Sequence, residues 1–129
     1  MQHRILVADD EAHILHVVSL KLRNAGYEVI TAVDGEEALE LTQTESPDLV
    51  ITDYQMPYMS GIEFLNELRT DEQFRKIPAI MLTARGFDME PEEMEQAGIA
   101  AVLAKPFSPR EVLQTVEQLL TPNEVSAAE

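Results

Sequence analysis

Five short apolar runs, separated by segments whose apolar residues recur at helical spacing, set the pattern of this chain. Ile5-Leu6-Val7-Ala8 reads as a strand, and Glu11 to Asn24 then carries Leu15, Val18 and Leu22 along one helical face. Gly26 ends that helix, and Tyr27 to Ala32 reads as the second strand. A helix from Glu36 to about Gln43 is broken by Ser46-Pro47 ahead of the third strand, Leu49-Val50-Ile51-Thr52. Ile62, Leu65 and Leu68 mark a third helix, and Ala79-Ile80-Met81-Leu82 a fourth strand. Pro91 opens a short helix to about Ala97, Ala101 to Ala104 gives a fifth strand, and Ser108-Pro109 opens a last helix. Strands that are apolar throughout, each followed by a helix, predict a parallel sheet covered on both faces. Right-handed crossovers leave few topologies, and a doubly wound α/β (βα)5 sandwich of flavodoxin-like type, strand order 2-1-3-4-5, is the expected fold.

With 129 residues, 45% of them hydrophobic, the chain suits one compact domain. We expect that domain over residues 4–120, followed by a polar, frayed tail over 121–129. Without cysteine, neither disulfides nor thiolate metal sites contribute. No apolar run approaches the ~20 residues of a membrane span, and the first residues lack the apolar region of a signal peptide, so a cytoplasmic protein is expected. Nine basic against 24 acidic side chains give a formal charge of −15. Direct nucleic-acid binding, which needs positive charge, is therefore disfavoured. Most of that acidity reads as solvated surface, including Glu92, Glu93 and Glu95.

In doubly wound sheets, binding groups gather at the carboxyl ends of the strands. Those ends carry Asp9 and Asp10, Asp53, Thr83 and Lys105. The first and third strands are neighbours in the expected order, so three carboxylates crowd one crevice. At an effective dielectric near 20, two such charges ~4 Å apart repel by roughly 4 kcal/mol. Either a carboxyl takes up a proton or a cation sits among them. A few carboxylate oxygens with room for water suit Mg²⁺ better than an enclosed Ca²⁺ cage, and no His or Cys lies there to favour zinc. A cation, the Lys105 ammonium and the Thr83 hydroxyl around a free carboxylate suit transfer of a phosphoryl group onto it.

These residues resemble the response-regulator receiver domain of two-component signalling, in a single-domain form. Asp9-Asp10-Glu11 is similar to the family's acidic turn, and Asp53-Tyr54-Gln55-Met56-Pro57 with Gly61 to its phosphoacceptor loop. Thr83-Ala84 is similar to its switch hydroxyl and small neighbour, and Lys105-Pro106-Phe107 to its closing motif. The resemblance implies Asp53 as phosphoacceptor, receiving its phosphoryl group from a histidine kinase or histidine phosphotransfer protein. It implies that Asp10, Asp53 and the Gln55 carbonyl bind Mg²⁺ directly, with Asp9 acting through a water. Lys105 would hold a phosphoryl oxygen, Thr83 would move toward another on activation, and Lys105-Pro106 would be cis. Ile14 sits where receivers present a docking residue to their kinase, and equally fits a partly buried core position.

The chain departs from the family at Val102, where an aromatic usually partners the switch Thr. A β-branched aliphatic has no ring to swing, so output is expected through Phe87 or Met89 instead. Gln55 and Arg85 would flank the path of a water attacking the acylphosphate.

Other classes fit less well. An aspartate-nucleophile phosphatase needs a second Asp two residues after the nucleophile, where Gln55 stands. A flavodoxin-like cofactor binder needs a phosphate loop after the first strand. His13 and His16 have no evident third metal ligand and read as a solvated helix face. The expected protein assists its own phosphorylation, turns over no external substrate, and relays its signal to an unknown protein target. The alternative is a phosphorylation-independent interaction domain on the same fold.

Overall fold

The computed structural model describes residues 3–84 and 89–120. The elements run β1 (Arg4–Ala8), α1 (Ala12–Asn24), β2 (Glu28–Ala32), α2 (Gly35–Glu45), β3 (Leu49–Asp53), α3 (Gly61–Arg69), a 3-10 turn (Glu72–Phe74), β4 (Ala79–Thr83), α4 (Pro91–Ala97), β5 (Ile99–Ala104) and α5 (Pro109–Leu120). All strand pairs are parallel, in the order β2-β1-β3-β4-β5. The expected α/β fold and strand order are those observed. Among the described residues, no helix is long and apolar enough to cross a membrane.

Alternation within buried strands divides the core in two. Ile5, Val7, Leu49, Ile51, Ile80 and Leu82 face one side, where Val18 and Leu22 of α1 and Val112 and Val116 of α5 close over them. Leu6, Ala8, Val50, Ala79 and Met81 face the other, against Ala38 of α2 and Ile62, Phe64, Leu65 and Leu68 of α3. Each fully buried aliphatic side chain contributes roughly 1.5–3 kcal/mol relative to exposure.

Local chemistry sets the boundaries. Asp34 caps α2, its side chain accepting from the Glu37 amide, and Ser60 with Glu63 forms a capping box on α3. α2 runs two residues beyond the expected Gln43 and ends where Ser46 takes a left-handed conformation. At the C-terminal end of α4, the Arg69 guanidinium donates to the carbonyls of Ala97 (2.9 Å), Gly98 (3.1 Å) and Phe74 (2.6 Å). The last turn of α4 has no basic residue of its own, so Arg69 supplies the positive charge its carbonyls favour. The expected frayed tail, residues 121–129, lies outside the described residues.

Candidate phosphoryl and cation site

The carboxyl ends of β1, β3 and β5 deliver the charged groups to one cleft of about 660 Å³, lined by Asp10, Glu11, Asp53, Tyr54, Gln55, Met56, Pro57, Ala84 and Lys105. Asp53 closes β3, held in register opposite Leu82, and the Tyr54 amide donates to the Leu82 carbonyl at 2.9 Å. Behind it, the first residue of α3 must be glycine. A Cβ at Gly61 would collide with the Asp53 carbonyl oxygen, and the Gly61 amide donates to Tyr54 at 2.8 Å. This close approach sets the loop so that Asp53 stands at the cleft floor, only 7% exposed.

Asp9 is wholly buried and Asp10 exposed, as successive residues leaving a strand should be. One Asp9 oxygen accepts from the Glu11 amide at 2.9 Å. The other lies 3.3 Å from Lys105 Nζ as an ion pair yet accepts no hydrogen bond. Lys105 Nζ also lies 3.3 Å from Asp53 Oδ1 and 3.0 Å from Glu11 Oε1. Its amide donates to the Thr83 carbonyl at 2.7 Å, and the bond to Pro106 is cis.

The electrostatics follow from crowding. Burial, then the charge of Asp9, pushes Asp53 up to about 6; Lys105 opposes this and Asp10 adds to it. Burial likewise raises Asp9, against the Glu11 amide and Lys105. For Lys105, burial works to weaken the ammonium, but Glu11, Asp9 and Asp53 together outweigh it and hold it above its ordinary value. One ammonium among three site carboxylates and Glu11 leaves the cleft anionic. Carboxylate oxygens of Asp9, Asp10 and Asp53 lie within 4.8 Å of one another, and the buried Asp9 Oδ2 is met only by the Lys105 ion pair at 3.3 Å, without a hydrogen bond. That donor set fits a hard divalent cation.

The expected site residues do not share one position. Asp10, Gln55, Asp53 and Lys105 line the cleft, Asp9 lies buried at its base, and Thr83 is buried at the end of β4, with Ala84 rather than Thr83 on the cleft wall. Glu11, read in the sequence only as part of the acidic turn, is brought by the fold onto Lys105, 94 residues away. His13 and His16 are exposed on α1. Ile14 is half-buried against the α1–α5 core and, with His13, Val17 and Phe107, lines an apolar groove beside Lys105. Val102 is 38% exposed on β5. Arg85 and Phe87 lie outside the described residues.

The profile of the response regulator receiver domain matches residues 5–117. The chain belongs to that family. It is 41% identical over 127 residues to the alkaline phosphatase synthesis transcriptional regulatory protein PhoP of Bacillus subtilis, a match covering 98% of this chain and 52% of PhoP. The chain thus spans about half the length of that relative. The chemotaxis response regulator CheY4 of Vibrio cholerae superposes with a TM-score of 0.86 at 38% identity, covering 93% of this chain and 100% of CheY4. The receiver domain of the sensor histidine kinase PA1611 of Pseudomonas aeruginosa, described with a magnesium ion in its active-site cleft, gives 0.81 at 30% identity, covering 92% and 97%. As a receiver, the chain is a phosphoacceptor signalling module.

Proposed function

We propose that Asp53 is the phosphoacceptor and that residues 4–120 form the complete receiver unit, receiving a phosphoryl group from a histidine kinase or histidine phosphotransfer protein. The observation that carries this reading is the Asp53 carboxylate at the cleft floor with Lys105 Nζ 3.3 Å away. An oxygen of Asp53 attacks phosphorus, the bond from phosphorus to the donor nitrogen breaks, and the donor imidazole leaves. Lys105 holds a phosphoryl oxygen, and Thr83 moves to donate to another.

Asp10, Asp53 and the Gln55 carbonyl would hold Mg²⁺, with Asp9 bound to it through a water. Bound there, the cation offsets negative charge on the transferring group. Burial and the neighbouring carboxylates raise Asp53 toward neutral pH, so a cation among them also keeps the acceptor ionised. Output then runs by contact with another protein: an acylphosphate adds roughly one to two negative charges to the cleft, enough to bias a two-state surface. Met89, half-buried against the α2–α3 core, belongs to that output region in this reading.

The test is incubation with phosphoramidate and Mg²⁺ followed by intact mass. A phosphate adduct in the wild type that is absent in Asp53→Ala supports the reading; no adduct in the wild type under any condition favours the phosphorylation-independent interaction domain.

A further inference from the structure

Tyr58 is an unusual residue in the loop between Asp53 and α3. Its φ is 70°, and the Met59 amide donates to the Pro57 carbonyl at 2.7 Å, two residues back. Together these make Tyr58 the centre of a γ-turn with positive φ, the rare and strained form of that turn. For a bulky residue this conformation is an outlier that survives only where its surroundings over-determine it. Both flanks are fixed here. The Met59 carbonyl packs so tightly on Gly35 of α2 that a Cβ there would collide with it, and Ser60 is tied into the capping box of α3.

The strained turn does not bury its central side chain. Tyr58 is 83% exposed, more than any other large exposed hydrophobic among the described residues. Its neighbour Pro57 lines the cleft above Asp53. Because Asp53 lies at the cleft floor, a protein that brings a phosphohistidine to it must cover the rim, whereas a small phosphodonor need not. The rim has two apolar shoulders on opposite faces of the sheet. Ile14 and Phe107 pack on the α1–α5 side, while Met56 and Met59, which bracket Tyr58, pack on the α2–α3 side.

We propose that Tyr58 is a specificity-determining contact for the protein phosphodonor, held outward by the strained turn to seat against the donor's surface on the α3 side of the cleft. The proposal rests on Asp53 being the acceptor. A tyrosine suits the role: it offers a large amphipathic contact with only two side-chain torsions to immobilise.

The decisive variant is Tyr58→Asn, since asparagine tolerates the left-handed region, with Tyr58→Phe retaining the ring. The donor is whichever of a panel of purified, radiolabelled histidine phosphotransfer domains transfers fastest to the wild type; phosphoramidate serves as the donor without a surface. Expected for Tyr58→Asn are a thermal midpoint no lower than wild type and a phosphoramidate rate within about twofold. Its kcat/KM with the protein donor should fall by about tenfold or more, the scale of an interface anchor, with most activity retained by Tyr58→Phe. Protein-donor transfer within twofold of wild type for Tyr58→Asn overturns the proposal. So does an equal loss with both donors, which would place Tyr58 in the site's own chemistry. Failure of the wild type to accept from phosphoramidate would instead sink the acceptor assignment itself.

Discussion

Lys105 Nζ stands 3.3 Å from Oδ1 of Asp53, although the two residues leave different strands with β4 between them. The contact lowers the acidity penalty on Asp53 that burial and Asp9 impose. Replacing Lys105 by Met removes the opposing charge and leaves the carboxylates unrelieved. In the metal-free variant Asp53 should titrate above the wild-type value of about 6, as followed by carboxyl ¹³C shifts. A value at or below that would show that the ammonium does not act on Asp53.

The raised acidity constant of Asp53 has a sign for stability. The folded group titrates near 6 against an ordinary 3.8, so the folded state binds the proton more tightly than the unfolded chain. That contribution is fully present below about 3.8 and is lost as pH rises through about 6. Above pH 6 the ionised Asp53 carboxylate therefore costs the metal-free fold about 2–3 kcal/mol, at 1.36 kcal/mol per pH unit. Asp53→Asn should exceed wild type by about that much in urea denaturation at pH 7.5. The gap should close as pH falls from 6 to 4, and a pH-independent gap would contradict the account.

Mg²⁺ should oppose the same cost. At a concentration about 100 times its dissociation constant, a ligand bound only to the folded state contributes about 2.7 kcal/mol. The thermal midpoint at pH 7.5 should rise with Mg²⁺ and respond far less at pH 5, where a proton occupies Asp53. An equal response at both pH values would place the cation elsewhere.

Gly61 and Gly26 separate two reasons for glycine. A Cβ at Gly61 meets the Asp53 carbonyl, whereas at Gly26, with φ 100°, nothing lies within 4 Å. Gly61→Ala must move backbone beside Asp53 and should cost about 3 kcal/mol or more. Gly26→Ala meets only conformational strain and should cost about 1–2 kcal/mol. Equal losses in denaturant titrations would show that Gly61 does not shape the loop after Asp53.

Much of this was legible in the sequence because apolar runs that stop on a polar residue mark strand ends. Asp9, Asp10, Asp53 and Lys105 were found that way, and the topology brought them together. Boundaries were less legible where tertiary contacts decide. Asp53 and Thr83 belong to their strands, β5 starts at Ile99 beside a bulge against β4, and the short polar 3-10 turn has no periodicity to announce it. The Glu11–Lys105 pair spans 94 residues and depends on side-chain rotamers, so local pattern could not supply it. Tyr58 was hidden for another reason: intrinsic preference argues against tyrosine at positive φ, and only the fixed loop around it overrides that preference.

The strand order also imposes a schedule on assembly. The three carboxylates arrive with β1 and β3, which pair directly, whereas their lysine arrives only after β5 has been added beyond β4. A chain emerging from its N-terminus thus gathers the mutual repulsion before its internal counterion exists. Until the last strand docks, the nascent sheet depends on protons or dissolved cations to tolerate the carboxylates at its edge. No fragment ending before β5 contains Lys105, so the charged groups of the cleft stand together only once β5 has joined the sheet.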